Sequence, residues 1–368
     1  MTDTGIYVHI PFCKRKCSYC AFYSITDLSL TEQYVNALIA EITAVSFLHK
    51  DKIIKTIYLG GGTPSILSCA QIERIVDVIY KCFRCETEEI TIEVNPDTAS
   101  FLSEYKTVGF NRVSIGVQST DDDILGIFGR LHDSQQALDA LRRARNIFDN
   151  VSADLIIGCK NAQSSKEDFL RVKDYITHLS AYILSLEPNT PLYSQFINKT
   201  VSIATEDSVI CQYNDLVETA RMCGFSQYEI SNFALPGYES KHNSSYWNLT
   251  PYLGFGCSAH SYVNGERYYT DGDILKYIGG SNSSNDGKII ERNRDIREDE
   301  YEYIMLSLRT ARGVALNEFR DKFNKDFVKS YSERIDRVKK YLSISEKSIG
   351  ILPQYYLLEN RIESIILD

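Results

Sequence analysis

No stretch of this chain approaches the roughly 18 uninterrupted apolar residues of a membrane-spanning helix, which excludes such a span. The opening Met1-Thr2-Asp3-Thr4-Gly5 carries neither a basic segment nor an apolar one, so it does not read as a secretory leader. Positive charge is in deficit. Forty Lys and Arg stand against 49 Asp and Glu, a net charge of −9, and that field opposes polyanions such as nucleic acid. No internal repeat is visible, and the only low-complexity run is the Gly/Ser/Asn segment at 279–287, which reads as a flexible linker. Ten cysteines are spaced too unevenly for a disulfide framework. A reducing, cytoplasmic setting is expected.

The chain is long enough for one large domain and a small one. Short β-rich runs alternate with helix-period stretches through the first half, which predicts parallel βα units. Strands are expected at Ile6–Ile10, Ile54–Leu59, Glu89–Val94, Arg112–Gly116, Val151–Ile157 and Tyr182–Leu186. Helices are expected at Thr31–Phe47, Ser68–Cys82, Phe101–Thr107, Asp121–Phe128, Ser134–Ile147 and Lys166–His178. Six such units make an α/β fold, a partial (β/α)6 barrel whose functional groups gather at the C-terminal strand ends. A helix over Ser208–Cys223 and a strand over Gln227–Ser231 follow, then a loop-rich aromatic stretch. Beyond the linker, helices at Asp295–Arg309, Phe319–Tyr341 and Tyr355–Ile366, with a hairpin at Leu342–Ile344 and Gly350–Leu352, predict a small helical, winged-helix-like domain. The expected divisions are 1–200, 201–278 and 289–368.

Directly behind the first strand stands Cys13-Lys14-Arg15-Lys16-Cys17-Ser18-Tyr19-Cys20, a CxxxCxxC cluster. Three thiolates at this spacing can hold three irons of a [4Fe–4S] cluster and leave the fourth iron open to a small molecule. A zinc scaffold is the alternative, but structural zinc takes four closed ligands, and no second pair follows at finger spacing. Cys82 and Cys85 form a lone CxxC near a helix end and read as buried thiols. Gly60-Gly61-Gly62-Thr63-Pro64 follows the second strand, where glycines let backbone groups approach a ligand closely. Arg130 has the fork geometry for a carboxylate. Lys241-His242-Asn243-Ser244-Ser245-Tyr246-Trp247 places an imidazole among aromatic rings and contains the only tryptophan.

Several strings occur in order along nearly the whole chain: Tyr7-Val8-His9-Ile10-Pro11-Phe12-Cys13, the GGGTP run, Glu93-Val94-Asn95-Pro96, Gly116-Val117-Gln118-Ser119, Gly129-Arg130-Leu131-His132 and Ala153-Asp154-Leu155-Ile156. On these the chain resembles the oxygen-independent coproporphyrinogen III oxidase-like branch of the radical S-adenosylmethionine (SAM) superfamily. The resemblance implies SAM on the open iron of a cluster held by Cys13, Cys17 and Cys20, reductively cleaved to an adenosyl radical. It also implies SAM contacts from Gly61, Gly62, Thr63, Glu93, Gln118, Arg130 and Asp154, with the rings of Tyr7 and Tyr19 against the nucleoside or cluster.

His242-Asn243, Tyr246 and Trp247 match the HNxxYW motif of the heme chaperones in that branch, and the resemblance makes these four residues a heme site. His260, in the glycine-rich segment after Tyr252, is a weaker candidate that could instead border SAM. Two departures from the true oxidases point to the chaperones: Ala21-Phe22-Tyr23-Ser24 stands where the oxidase has a fourth cysteine, and the long N-terminal extension before the cluster is missing. The loop 158–163 lacks the family's Leu-Pro pair. The reading is therefore a protein that binds heme and passes it to an unidentified acceptor protein, fed by an unidentified electron donor, with peripheral contact to membrane proteins. Oxidative decarboxylation of coproporphyrinogen III and radical methylation of heme are the competing readings.

Overall fold

The structure is a computed structural model, and it describes residues 2–160, 165–280, 288–290 and 296–368. Six parallel strands run in sequence order: β1 (Thr2–Ile10), β2 (Lys52–Gly61), β3 (Arg84–Val94), β4 (Arg112–Gln118), β5 (Asn150–Ile157) and β6 (His178–Ile183). Helices α1 (Thr31–Ser46), α2 (Cys69–Cys82), α3 (Leu102–Val108), α4 (Asp122–Phe128), α5 (Ser134–Ile147) and α6 (Ser165–Val172) lie between them. The reason is local. In α2, Ser68 and Gln71 close a capping box, and Ile72, Ile75, Val76 and Ile79 form one buried stripe against the sheet. Asp133 and Gln136 do the same for α5, while α3 and α4 stop at Gly109 and Gly129 in left-handed conformations.

Along each strand the outward residues, such as Ile6, Val8 and Ile10 or Val113, Ile115 and Val117, are buried beneath the helices. The inward residues are largely polar. The register sets Glu93 beside Ser114, Gly116 beside Asp154 and Asp154 beside Ser180, so the inner face carries charge near its C-terminal ends.

The sixth strand is displaced from expectation. It spans His178–Ile183, not Tyr182–Leu186, because His178, Leu179, Ser180 and Ala181 are the buried stretch while Tyr182 and Ile183 are exposed. The preceding helix accordingly ends at Val172 rather than His178. After α7 (Pro191–Ile197) and α8 (Glu206–Met222), the expected single strand is a hairpin of β7 (Ser226–Glu229) and β8 (Asn232–Ala234), with β8 antiparallel to β6. The stretch read as loops holds a helix, α9 (Lys241–Trp247), and β9 (Tyr252–Phe255), β10 (His260–Val263) and β11 (Glu266–Thr270). With α10 (Ile274–Ile278) and β12 (Lys288–Ile290), these extend the sheet beyond β1. Residues 281–287 of the expected linker lie outside the described residues, as do 161–163 of the atypical loop and Asp295.

The C-terminal part has its own apolar core around Phe319, Phe327, Val338, Ile349 and Ile366, to which Tyr252 and Tyr262 contribute. Helices at Ile296–Leu308 and Glu359–Leu367 flank a three-stranded sheet of Val314–Ala315, Ser348–Ile351 and Leu342–Ile344. The long helix expected at Phe319–Tyr341 is broken, with Asn324 in the left-handed region (φ 51°) ending its first segment. No helix among the described residues is long and apolar enough to cross a membrane.

Helix α9 closes the N-terminal end of the barrel. Its first amides, Lys241 N and His242 N, donate to the Glu89 carboxylate at 2.8 and 3.1 Å. Glu89 is buried at 3% exposure and is the foremost opposing charge for Arg112, which is 1% exposed. Removing one member of a buried pair costs ~3–5 kcal/mol. Glu89→Ala, which also uncaps α9, is therefore expected to lose about 3 kcal/mol in urea unfolding. A loss below about 1 kcal/mol would show that the helix is not anchored there.

Candidate functional site

The loop after β1 carries the three cysteines and is fastened from several sides. Phe12 is buried edge-on to Tyr34, ring centroids 5.3 Å apart. Cys13 N donates to Ile25 O at 2.9 Å, and Ser18 N and Oγ donate to Phe128 O and Ile127 O at 3.0 and 2.7 Å. Arg15 Nε reaches Gly129 O at 2.9 Å and its Nη2 reaches Arg130 O at 2.6 Å, so the loop is tied to the end of α4. Cys13, Cys17 and Cys20 are unpaired, partly exposed, and line one cavity of about 610 Å³. Burial, with the neighbouring Cys17 and Cys13, pushes the Cys20 thiol up.

The glycine run explains itself at close range. Gly61 adopts φ +115°, and a side chain there would meet the His9 ring at 2.6 Å. A side chain on Gly62 would lie 2.7 Å from Phe12 O and 2.9 Å from Ile10 O, the latter being the acceptor of Gly62 N at 2.9 Å. The space freed by glycine is thus taken by the backbone leading into the cysteines. Thr63 follows, its Oγ1 3.6 Å from Cys13 Sγ and accepting from Asn95 Nδ2 at 3.0 Å.

Opposite the thiols stands a polar wall. Arg130 points Nη1 at Cys17 Sγ, 3.3 Å, and donates through Nη2 to Asn95 Oδ1 at 2.6 Å and Gly116 O at 2.7 Å. A side chain on Gly116 would press on the ends of the Gln118, Asn95 and Arg130 side chains at 2.9, 3.0 and 3.2 Å. Gln118, at the end of β4, has φ 68°, a left-handed conformation that costs a non-glycine residue free energy and is concentrated at functional sites. Asp154 accepts from Ser114 Oγ at 3.1 Å, and burial raises its pKa against the pull of Ser180 and Arg112. Glu93 accepts from Tyr58 Oη at 2.8 Å and Gly61 N at 3.1 Å. Burial and the nearby Asp154 charge still lift its pKa to about 7.

Cys13, Cys17, Tyr19, Cys20, Gly61, Gly62, Thr63, Glu93, Gln118, Arg130 and Asp154 therefore meet on one cavity. Tyr7 does not line it: its hydroxyl is hydrogen-bonded with His9 Nδ1 (2.9 Å), and its ring packs on Tyr58 beneath the polar wall. The HNxxYW residues are also elsewhere. His242 is 1% exposed, with Nδ1 and Nε2 occupied by Thr56 Oγ1 and Tyr246 Oη, each at 2.8 Å. Both ring nitrogens are thus engaged within the protein, and His242 stands apart from the residues that line the cavity. Ser240 caps α9, its Oγ accepting from Asn243 N at 3.3 Å, Tyr246 packs edge-on to Tyr252, and Trp247 lies under Arg309. His260 is exposed and stacked on Tyr269. Asn95, Ser114 and Tyr182 were missed. Asn95 lay in a quoted motif, and Ser114 is marked only by the period-two spacing from Gly116 and Gln118.

Among the described residues no three His, Cys, Asp or Glu side chains form a group that could hold a single metal ion. Three thiols spread along one cavity wall, with a guanidinium donating toward one of them, fit a larger iron–sulfur group whose thiolates accept hydrogen bonds.

Two outcomes follow from this geometry. Gly62→Ala forces the backbone at Ile10–Phe12 aside, so anaerobically reconstituted protein should hold less than about half the iron of the unsubstituted chain; full iron content would mean the approach is not needed. For Glu93, the folded-state pKa lies above the unfolded value of about 4.3. Its contribution to stability is therefore complete below that unfolded value and lost as pH rises through about 7. Glu93→Gln should raise the melting temperature more at pH 8 than at pH 5, and a pH-independent difference would contradict the raised pKa.

A family model of the radical SAM superfamily matches residues 7–171. The chain is 34% identical to the heme chaperone HemW of Buchnera aphidicola subsp. Schizaphis graminum, over 87% of this chain and 86% of that protein. It is 31% identical to HemW of Lactococcus lactis, over 98% of this chain and 97% of the relative. Coproporphyrinogen III oxidase from Escherichia coli, a radical SAM enzyme, superimposes with a TM-score of 0.83 over 99% of this chain and 90% of its own; at 21% identity this is a likeness of fold. Relatives this similar across nearly the full length place the partial barrel in the radical SAM fold, and the chain belongs to the family of the heme chaperones HemW within the radical SAM superfamily.

Proposed function

We propose that this protein binds heme and delivers it to acceptor proteins, carrying a [4Fe–4S] cluster on Cys13, Cys17 and Cys20 with SAM beside it. The observation that carries the reading is the single cavity into which the cysteine loop and the polar strand ends converge. When bound, the cluster and SAM supply one-electron chemistry at a carbon centre. The chain's own part is positional. Arg130 sets the charge around Cys17, Glu93 and Asp154 offer acceptors for hydroxyl and ammonium groups, and Gly61 lends a backbone donor to Glu93. Tyr19, edge-on to Phe128 at 4.9 Å, stiffens the cysteine loop.

The mouth of the same cavity suits a tetrapyrrole, which has a flat apolar face and acidic side chains. Phe22 is 72% exposed and Tyr182 44%, with Ile183 beside them, while Arg15 and Lys16 supply positive charge at the lip. Phe22 occupies the place of the oxidase's fourth cysteine, which supports carriage over decarboxylation. A cytoplasmic site of action, and a division into a core at 1–200, an extension at 201–278 and a C-terminal domain at 289–368, belong to the same reading. The separate apolar core of the C-terminal part supports the last boundary.

Anaerobically reconstituted protein titrated with heme is expected to saturate at about one heme per chain, to release it to an apo-hemoprotein, and to leave coproporphyrinogen III unchanged in the presence of SAM and reductant. Conversion to protoporphyrinogen IX with SAM consumption, or failure to saturate with heme, would overturn the assignment.

A further inference from the structure

The HNxxYW helix and the cavity are connected by contacts that can be followed atom by atom. Glu93 is gripped at one oxygen by Gly61 N and at the other by the Tyr58 hydroxyl. Tyr58 rises from the inward face of β2, and its ring lies on the imidazole of His242, centroids 5.1 Å apart and planes inclined by 24°. That imidazole is pinned at both ends by Thr56 and Tyr246. The floor around it is tight: a side chain on Gly5 would come within 3.2 Å of His242 Cε1. Burial and the Arg112 charge hold its pKa down at about 3, so the ring is neutral, with one nitrogen donating and the other accepting. The two hydrogen bonds satisfy the buried ring and set its plane, and the plane is what Tyr58 rests on.

We propose that His242 is a positioning residue for the cofactor cavity, fixing the ring of Tyr58 and through its hydroxyl the carboxyl of Glu93. This rests on the reading that Glu93 faces SAM. It assigns the buried histidine of the motif to the cofactor side of the molecule, and it makes α9 the base on which the polar wall is aligned. The Glu89 anchor of α9 places that base in register with the strands.

The test measures SAM affinity of the cluster-loaded protein from the SAM-dependent change in the electron paramagnetic resonance spectrum of the reduced cluster. His242→Ala and Tyr58→Phe should each weaken SAM about tenfold, the size expected for losing one oriented hydrogen bond to a carboxylate. The double variant should be no weaker than Tyr58→Phe alone, since both changes act through one hydroxyl. His242→Phe keeps a flat ring against Tyr58 and should restore most of the affinity. It should still melt earlier than the unsubstituted protein, because the Thr56 and Tyr246 hydroxyls are left unpaired. Additive losses, affinity that follows melting temperature across the set, or a folded His242→Ala with unchanged SAM affinity but lost heme would each overturn the proposal. If His242→Ala does not fold, Thr56→Val frees one end of the ring and should weaken SAM about threefold, and no change there would overturn it equally. If the unsubstituted protein gives no SAM response while Tyr58→Phe and the unsubstituted chain hold equal iron, the SAM reading of the cavity fails first and takes this inference with it.

Discussion

Gly62 N donates to Ile10 O at 2.9 Å, and its Cα sits so close to the backbone of Ile10 and Phe12 that no side chain fits between them. This approach of two strand ends is the constraint on which the rest of the site depends. It fixes the direction in which the chain leaves β1, and so where Cys13, Cys17 and Cys20 come to lie. It also turns Gly61 N toward Glu93 and leaves Thr63 between Cys13 and Asn95. The three thiols themselves are partly exposed, and the apolar anchors of their loop are Phe12 against Tyr34 and Tyr19 against Phe128. Its position is also fixed by this approach on one side and by the end of α4 on the other, where Arg15 and Ser18 are bound to carbonyls of Ile127, Phe128, Gly129 and Arg130.

The interior of the barrel is polar and carries charges of both signs. Arg112 faces Glu89 near the floor, Arg130 faces Cys17 and Asn95 at the rim, and Glu93 and Asp154 sit between them. Burial raises both carboxyl pKa values, for Glu93 with the added charge of Asp154, and the rise is only partly offset by Tyr58 and Gly61 at Glu93 and by Ser180, Arg112 and Ser114 at Asp154. The structure tolerates this because each charged group also holds a neighbour in place. Such a wall costs stability and supplies a fixed, preorganised electrostatic surface to whatever binds in the cavity.

Much of this was legible in the sequence because it rests on spacing. Period-two strands, capped helices and glycines after a strand are local signals, and five of the six barrel strands fall where the apolar runs put them. The sixth differs because the apolar run Tyr182–Leu186 lies at the exposed lip, whereas the buried strand contains His178 and Ser180. The sheet extension at β9–β11 carries no clear strand signal because its strands are short and interrupted by Gly254, Gly256 and Gly265, whose role depends on partners far along the chain. The location of His242 was illegible for the same reason. An imidazole among aromatic residues has one composition whether it faces a ligand or a tyrosine from β2, and only the three-dimensional register of Gly5, Thr56 and Glu89 decides between them.

In the proposed function the three thiols and the polar strand ends form one site, in which an open iron and SAM meet. Its most direct measurement is Mössbauer spectroscopy of iron-57-reconstituted protein with and without SAM. The expected result is a [4Fe–4S] spectrum in which one iron subsite, and only one, shifts to values of higher coordination when SAM is added. Four equivalent irons indifferent to SAM, or a protein that retains zinc in place of iron, would contradict it.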